Sequence, residues 1–324
     1  MDRDKLFNPR YGNLSKEERE RVLLSLRKID SRFAWVGLER FEKFGMATDT
    51  ALFTFEGKEF VFVPGGAVTL GWNEFSVGMD DATHEEIKEL LAEMEITLEV
   101  DAFLRDCMSP VRTVNIEPML VERRLNEIGW CEVAINSPEV TRHNDTIKKH
   151  FHGTGMLEIS GHMRIFSGEN GVPQAQKYEP VSYKDFVSGL HNDKFALPTE
   201  DEWEYLCGGG SRTLFRWGDS FDFDMKLRHF EYEEYKDLPY HLELPNQFGL
   251  SIAYDPYKYE VVEDSQYFLK GGDGGCSICG GLGMLLGYLP VATYYRMYSM
   301  DDDSLNYQND IGGSYTFYRR IVRL

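Results

Sequence analysis

Apolar residues that recur every three or four positions predict two amphipathic helices in the N-terminal third of the chain. In the first helix, Ser15 and Glu18 have the spacing of a capping box, in which each side chain binds the backbone amide of the other residue. In the second helix, predicted over residues 83 to 95, Thr83 and Glu86 have the same spacing. Both helices are expected to pack their apolar side against a core.

Alternating apolar and polar residues predict strands between and after these helices. Residues 50 to 55 and 58 to 63 alternate around a Glu-Gly pair, which is typical of a β-hairpin. Residues 111 to 121 predict one further strand. From residue 208 onward the chain is rich in Gly, Tyr, Asp and Asn and has short apolar runs, so we expect many loops over small sheets.

These predicted elements divide the chain into a short extension and one larger domain. Residues 1 to 49 are expected to form a helical N-terminal extension, and residues 50 to 324 a single, loop-rich α+β domain. A hydrophobic content of 42% and an aromatic content of 14% are typical of a globular protein with a sizeable core.

Charge and hydropathy exclude several classes of partner. A net charge of −19 argues against a nucleic acid, because a phosphate backbone is bound by a basic surface. No segment reaches the roughly 18 consecutive apolar residues of a membrane helix, and the N-terminus lacks the apolar core of a signal peptide. We therefore expect a cytoplasmic protein that binds no nucleic acid and no membrane, and whose few, scattered cysteines are mostly reduced.

The most distinctive motif spans residues 195 to 219. Pro198 ends a strand-like run, and Thr199 with Glu202 has the spacing of a capping box at the start of a helix. Trp203 follows on the apolar face of this helix. The string Leu-Pro-Thr-Glu-Asp-Glu-Trp-Glu-Tyr, followed by Trp-Gly, resembles the signature of the formylglycine-generating enzyme (sulfatase-modifying factor) family.

Other segments that resemble this family follow in the family's order along the chain. They are residues 60–71, 110–120, 245–250, 269–272, 295–296 and 317–323. The resemblance covers about residues 57 to 324, and it implies a C-type-lectin-like fold for the α+β domain, in a divergent member of the family.

A glycine-rich segment, residues 271 to 281, contains Cys276 and Cys279 and is the sharpest candidate for chemistry. Two thiols close together on such a loop can bind a soft metal such as Cu(I), form a redox disulfide, or supply half of a zinc site. They can also be reduced thiols without a ligand. The many glycines indicate either a close approach of the backbone to another group or a mobile loop.

The resemblance gives these two cysteines a specific role. Oxidases of the family bind copper through two cysteines placed after a GGSW motif, with four residues between them. Cys276 is in register with the first of these cysteines, whereas only two residues separate it from Cys279. Asp273 and Gly274 replace the serine and the tryptophan of the motif. The resemblance implies that Cys276 and Cys279 are copper ligands and catalytic residues.

Three residues beside these motifs are candidates for contacting a substrate or partner, namely Asp273, Tyr295 and Arg296. Arg296 also has a structural interpretation that it shares with Arg319, because an arginine inside a loop-rich domain is normally paired with a carboxylate.

Calcium is a second metal implied by the resemblance, but the family's motif GNVWEW is altered here. Glu260 is retained, Tyr257 replaces the asparagine, and Ile252 replaces the aspartate of a neighbouring motif. We expect this calcium site to be lost. Asn246 and Asp255 remain oxygen donors, although a turn-forming role explains both residues better.

Two functions are compatible with these observations. The first is a Cu(I)- and O2-dependent oxidoreductase of the formylglycine-generating type, acting on a cysteine-containing peptide or a small thiol. The second is a non-catalytic binding module on the same scaffold. Its loops, residues 219–237 and 273–290, would recognise a peptide, a protein or a small molecule.

Overall fold

The computed structural model describes the chain except for residues 1, 29, 44, 169–170, 222–240, 265–268, 297–307 and 314, and except for the side chains of His241 and Met284. Helices and strands contribute about equally, so the protein has mixed helix and sheet structure, consistent with an α+β class. No helix among the described residues combines the length and the apolar character needed to cross a lipid bilayer.

The described residues form short elements joined by many loops. The helices are α1 (Lys16–Ser25), α2 (Asp81–Glu93), α3 (Val100–Asp106), α4 (Pro138–Thr141), α5 (Asn144–His150), α6 (Tyr183–Asn192), α7 (Glu200–Gly208), α8 (Cys276–Cys279) and α9 (Gly283–Gly287). The strands are β1 (Ala34–Lys43), β2 (Met46–Phe55), β3 (Lys58–Val63), β4 (Gly66–Leu70), β5 (Arg112–Ile116), β6 (Met119–Glu122), β7 (Asn126–Glu127), β8 (Trp130–Val133), β9 (Met156–Ile159), β10 (Met163–Ser167), β11 (Pro173–Tyr178), β12 (Tyr259–Val261), β13 (Leu269–Lys270), β14 (Thr316–Tyr318) and β15 (Ile321–Arg323).

The chain divides into two compact units. The first comprises Met1–Asn126, Gly189–Met300 and Phe317–Leu324, and the second comprises Glu127–Ser188 and Asp301–Thr316. Residues 1 to 49 belong to the first unit together with most of the later chain. This N-terminal stretch is not only helical, because the ten residues of β1 follow α1 and pair with β2.

An antiparallel sheet with the strand order β1-β2-β3-β6-β15 is the largest sheet of the first unit. Strands β2 and β3 form the predicted hairpin, although β2 begins four residues earlier than the pattern indicates. Both turn residues, Glu56 and Gly57, have positive φ angles of 48° and 76°, as the tight turn of a two-residue hairpin requires.

The prediction of one strand over residues 111 to 121 is wrong, because this stretch contributes to two strands, β5 and β6. Strand β5 pairs with β4, whereas β6 pairs with β3 and β15. Pro118 lies between them and has no N–H group for a sheet hydrogen bond. The predicted cap of α2 is wrong as well, since Asp80 is the N-cap residue and its carboxylate accepts a hydrogen bond from the Thr83 amide at 2.8 Å.

Helix α7 begins at the predicted capping box. The Thr199 amide donates to Glu202 Oε2 at 2.8 Å, and the Glu202 amide donates to Thr199 Oγ1 at 3.3 Å. Ser15 and Glu18 form the other predicted capping box at α1. Trp203 is fully buried in a core that includes side chains of the sheet and of α2, among them Val61 and Ile87.

The second unit is built on an antiparallel sheet with the order β8-β11-β10-β9. Its small core consists of buried apolar side chains from α4 and from three strands, namely Val140, Ile159, Met163, Ile165 and Ala175.

Candidate functional site

The glycine-rich segment before α8 is closely packed against its surroundings. Gly271 and Gly275 have φ angles of 84° and 79°, which side chains other than glycine rarely adopt. A Cβ atom on Gly272 would lie 2.4 Å from the carbonyl oxygen of Lys258, and one on Gly275 would lie 2.1 Å from the ring of Tyr257. At these positions the glycines therefore permit a close approach of the backbone to neighbouring groups.

Cys276 and Cys279 form the two ends of α8. They are residues i and i+3 of the helix, with two residues between them, and this spacing places two side chains on one face of a helix. Both residues are exposed, and neither forms a disulfide. The hydroxyl group of Tyr257 lies 3.1 Å from Cys279 Sγ and is in hydrogen-bonding contact with it. The site is therefore a pair of accessible thiols, one of which contacts a tyrosine.

Asp273 lies immediately before α8 and has a structural role there. Its Oδ2 atom accepts a hydrogen bond from the Ser277 amide at 2.8 Å. The residue is only 6% exposed, and its Oδ1 atom is buried without a hydrogen-bond partner among the described residues. A carboxylate thus contacts the backbone between the two cysteines.

The electrostatic environment of this helix opposes additional negative charge. Partial burial raises the pKa of the Cys276 thiol, and electrostatic interactions with Asp273 and Cys279 raise it further. Burial likewise raises the pKa of Tyr295, with contributions from Cys107, Asp273 and Cys276. At neutral pH Cys276 is therefore a thiol, and a metal ion that binds its sulfur has to displace the proton.

Arg296 is engaged in ion pairs with α7. Its Nη2 and Nε atoms donate to the two carboxylate oxygens of Glu200 at 2.6 and 2.9 Å. Lys270 Nζ, which is fully buried, lies 3.0 Å from Glu204, 3.3 Å from Glu200 and 2.6 Å from the carbonyl oxygen of Tyr295. Burial alone would raise the pKa of Glu200, but Arg296, Lys270 and Arg112 outweigh it and lower this pKa to about 2. The structural interpretation of Arg296 is confirmed, whereas a role in substrate binding stays a prediction.

Arg319 forms the second predicted internal ion pair. Its guanidinium group donates to both carboxylate oxygens of Glu260 at 2.6 and 2.9 Å, and both side chains are buried. Glu260, the retained residue of the altered calcium motif, is therefore held by a cation. Asn246 forms a turn, because its Oδ1 atom accepts from the amides of Phe248 and Leu250, and Asp255 accepts from the amide of Tyr257. The turn-forming interpretation is confirmed for Asn246 and Asp255.

The donor set at α8 fits copper better than zinc or calcium. Within the described ranges, no group of three or more His, Cys, Asp or Glu residues is arranged to hold a metal ion. Two thiols suffice for Cu(I), which prefers soft sulfur ligands, whereas a structural zinc ion takes four ligands and calcium takes six or more oxygens. Cys276 and Cys279 therefore match Cu(I) by their chemistry and their number.

Sequence patterns did not identify every residue of this site. Tyr257 lies 22 positions from the Cys279 thiol that it contacts, and no motif links the two residues. Of the loop at residues 219–237, which the binding-module alternative would use for recognition, residues 222 to 237 lie outside the described residues, and Phe221 is buried.

Comparison with known proteins does not extend this description. No model of a known protein family matches the chain, and no curated protein matches it.

Proposed function

We propose that this protein is a divergent oxidoreductase of the formylglycine-generating type, in which Cys276 and Cys279 bind Cu(I) and the substrate is a cysteine-containing peptide or a small thiol. The observation that carries the proposal is the pair of exposed thiols on one turn of α8, directly after a buried glycine-rich segment. The order of the family's motifs along the chain supports this proposal. The proposal also includes a C-type-lectin-like fold for the domain.

Each residue of the site has a defined task under this proposal. Cys276 and Cys279 would lose their protons and hold the metal, which would supply the capacity to react with O2. The Tyr257 hydroxyl group orients Cys279 and stabilises its negative charge by a hydrogen bond. Asp273 fixes the start of α8 through the Ser277 amide, so that both thiols are presented together.

The surroundings of the site support a rigid scaffold for such chemistry. Lys270 connects the strand before the glycine-rich segment to Glu200 and Glu204 of α7 in the interior of the first unit. Each of the five cysteines is unpaired in the structure, which suits a reducing compartment such as the cytoplasm.

Oxygen consumption tests this proposal. The reduced protein, loaded with one equivalent of Cu(I), is mixed with glutathione or with a blocked Ala-Cys-Ala peptide, and oxygen uptake is followed with an electrode. We expect uptake above that of buffer with the same copper, and we expect it to fall to the buffer rate in Cys276→Ser and Cys279→Ser. Cys131→Ser, which removes an exposed cysteine outside α8, is the matched control and should retain the wild-type rate.

A non-catalytic binding module is the second candidate function. The raised pKa of the Cys276 thiol favours it, because metal binding has to displace a tightly held proton. The shortened spacing between the cysteines, relative to the family pattern, points in the same direction. Oxygen uptake at the buffer rate in the wild type, or equal uptake in the wild type and Cys276→Ser, would refute the oxidase and favour this module.

A further inference from the structure

A cavity of about 410 Å³ lies beside α8 in the first unit. Its walls come from the loop after α2, from α3, and from the segment around α9, with Leu98, Phe103 and Leu286 among the apolar lining residues. The ring of Tyr295 also lines the cavity. Both the volume and the mainly apolar wall are typical of a site for a small organic molecule.

One carboxylate distinguishes this cavity from an ordinary packing defect. Asp106 is the single charged residue among its described lining residues, and it is exposed. No hydrogen bond or ion pair of its side chain occurs within the described part of the chain. Asp106 is the last residue of α3, where the helix dipole disfavours a negative charge, so the carboxylate does not stabilise its own helix.

An apolar wall with a single carboxylate among its described lining residues defines the chemistry of the ligand. Apolar groups of the ligand would be removed from water by Leu98, Phe103 and Leu286, and a positive charge would pair with Asp106. A negatively charged ligand would be repelled, both by Asp106 and by the net charge of −19.

We infer that this cavity binds a small organic cation, an amine with an apolar body, whose ammonium group pairs with Asp106. The inference goes beyond the copper function and does not depend on it, since the cavity residues named here include neither thiol of α8.

The test compares three probes with one carbon skeleton: 4-phenylbutylamine, 4-phenylbutanol and 4-phenylbutyrate. Each is titrated into the reduced, metal-free, full-length protein by isothermal titration calorimetry at pH 7. We expect the amine to bind about tenfold more tightly than the alcohol, because a hydrogen bond to a charged group exceeds a neutral one. The carboxylate should bind most weakly.

Asp106→Asn should abolish the preference for the amine while binding of the alcohol is retained. The matched control is Asp101→Asn, which removes an exposed carboxylate from the same helix without changing the cavity lining. A second variant, Leu98→Lys, places a cation in the lining at a residue that is 45% exposed, and it should abolish amine binding without loss of the fold.

Equal affinities for the amine and the alcohol in the wild type would overturn the inference. So would an amine preference that survives both Asp106→Asn and Leu98→Lys, or an absence of binding by all three probes. Because copper is absent from these titrations, a failure here is distinct from a failure of the oxidase proposal.

Discussion

Replacing Arg319 with Met is expected to lower the free energy of unfolding by about 3–5 kcal/mol. The guanidinium group is fully buried, and it donates to both carboxylate oxygens of Glu260 and to the carbonyl oxygens of Glu122 and Ser251. Without it, the carboxylate of Glu260 remains charged and unpaired in the interior, which costs more than the pair contributes. Urea denaturation of both proteins measures the difference.

Two further variants separate this mechanism from a general loss of packing. Arg319→Met combined with Glu260→Leu removes both charges, and it should recover part of the lost stability. Arg40→Met breaks exposed ion pairs with Asp49 and Glu42 and should cost less than about 1 kcal/mol. A single Arg319→Met variant that is as stable as Arg40→Met would contradict the structural role of the buried pair.

The affinity for Cu(I) is expected to rise steeply with pH between pH 6 and pH 8. A thiol must lose its proton before it binds the metal, so each released proton raises the apparent affinity about tenfold per pH unit below the thiol pKa. Burial and the charge of Asp273 raise the pKa of Cys276, so this thiol is protonated across the whole interval. The slope should therefore be at least about tenfold per pH unit, as measured by competition with a chelator of known affinity.

Asp273→Asn provides a control on the sign of this effect. Removing the negative charge lowers the pKa of Cys276, so the pH above which the Cu(I) affinity stops rising should be lower in the variant than in the wild type. Cys276→Ser should bind Cu(I) more weakly than the wild type. Because one proton fewer is released on binding, its Cu(I) affinity should also rise less steeply with pH. A Cu(I) affinity that does not change between pH 6 and pH 8 would exclude Cys276 as a ligand.

The elements that the sequence predicts correctly are those whose causes are local. The capping box of α7 needs only Thr199 and Glu202, three residues apart, and the β2–β3 hairpin needs only the alternation around Glu56 and Gly57. These short-range patterns are sufficient because the partner groups lie within a few residues of each other in the sequence.

The features that sequence patterns miss depend on contacts between distant segments. Strand β1 was not predicted because exposed and partly buried residues alternate irregularly along it, and its pairing with β2 defines it. The ion pair between Arg296 and Glu200 joins residues 96 positions apart, and the contact of Tyr257 with Cys279 arises only when the loop before β12 meets α8. The residues next to each partner in the sequence do not indicate which distant residue it will contact.

The candidate site was predicted in part for the same reason. The spacing of Cys276 and Cys279 indicated a pair of thiols, and the structure presents both as exposed residues on one helical turn. The raised pKa of Cys276 follows from partial burial and from Asp273. Burial is a property of the fold, so the sequence did not indicate it.

Cu(I) titration of the reduced protein against a competing chelator tests the central claim most directly. Wild type, Cys276→Ser, Cys279→Ser and the control Cys131→Ser are compared at one pH. The proposal predicts tight one-to-one binding that is lost in both α8 variants and unchanged in Cys131→Ser. Binding that is as tight in Cys276→Ser or Cys279→Ser as in the wild type, or no binding at all, would contradict a copper site at α8.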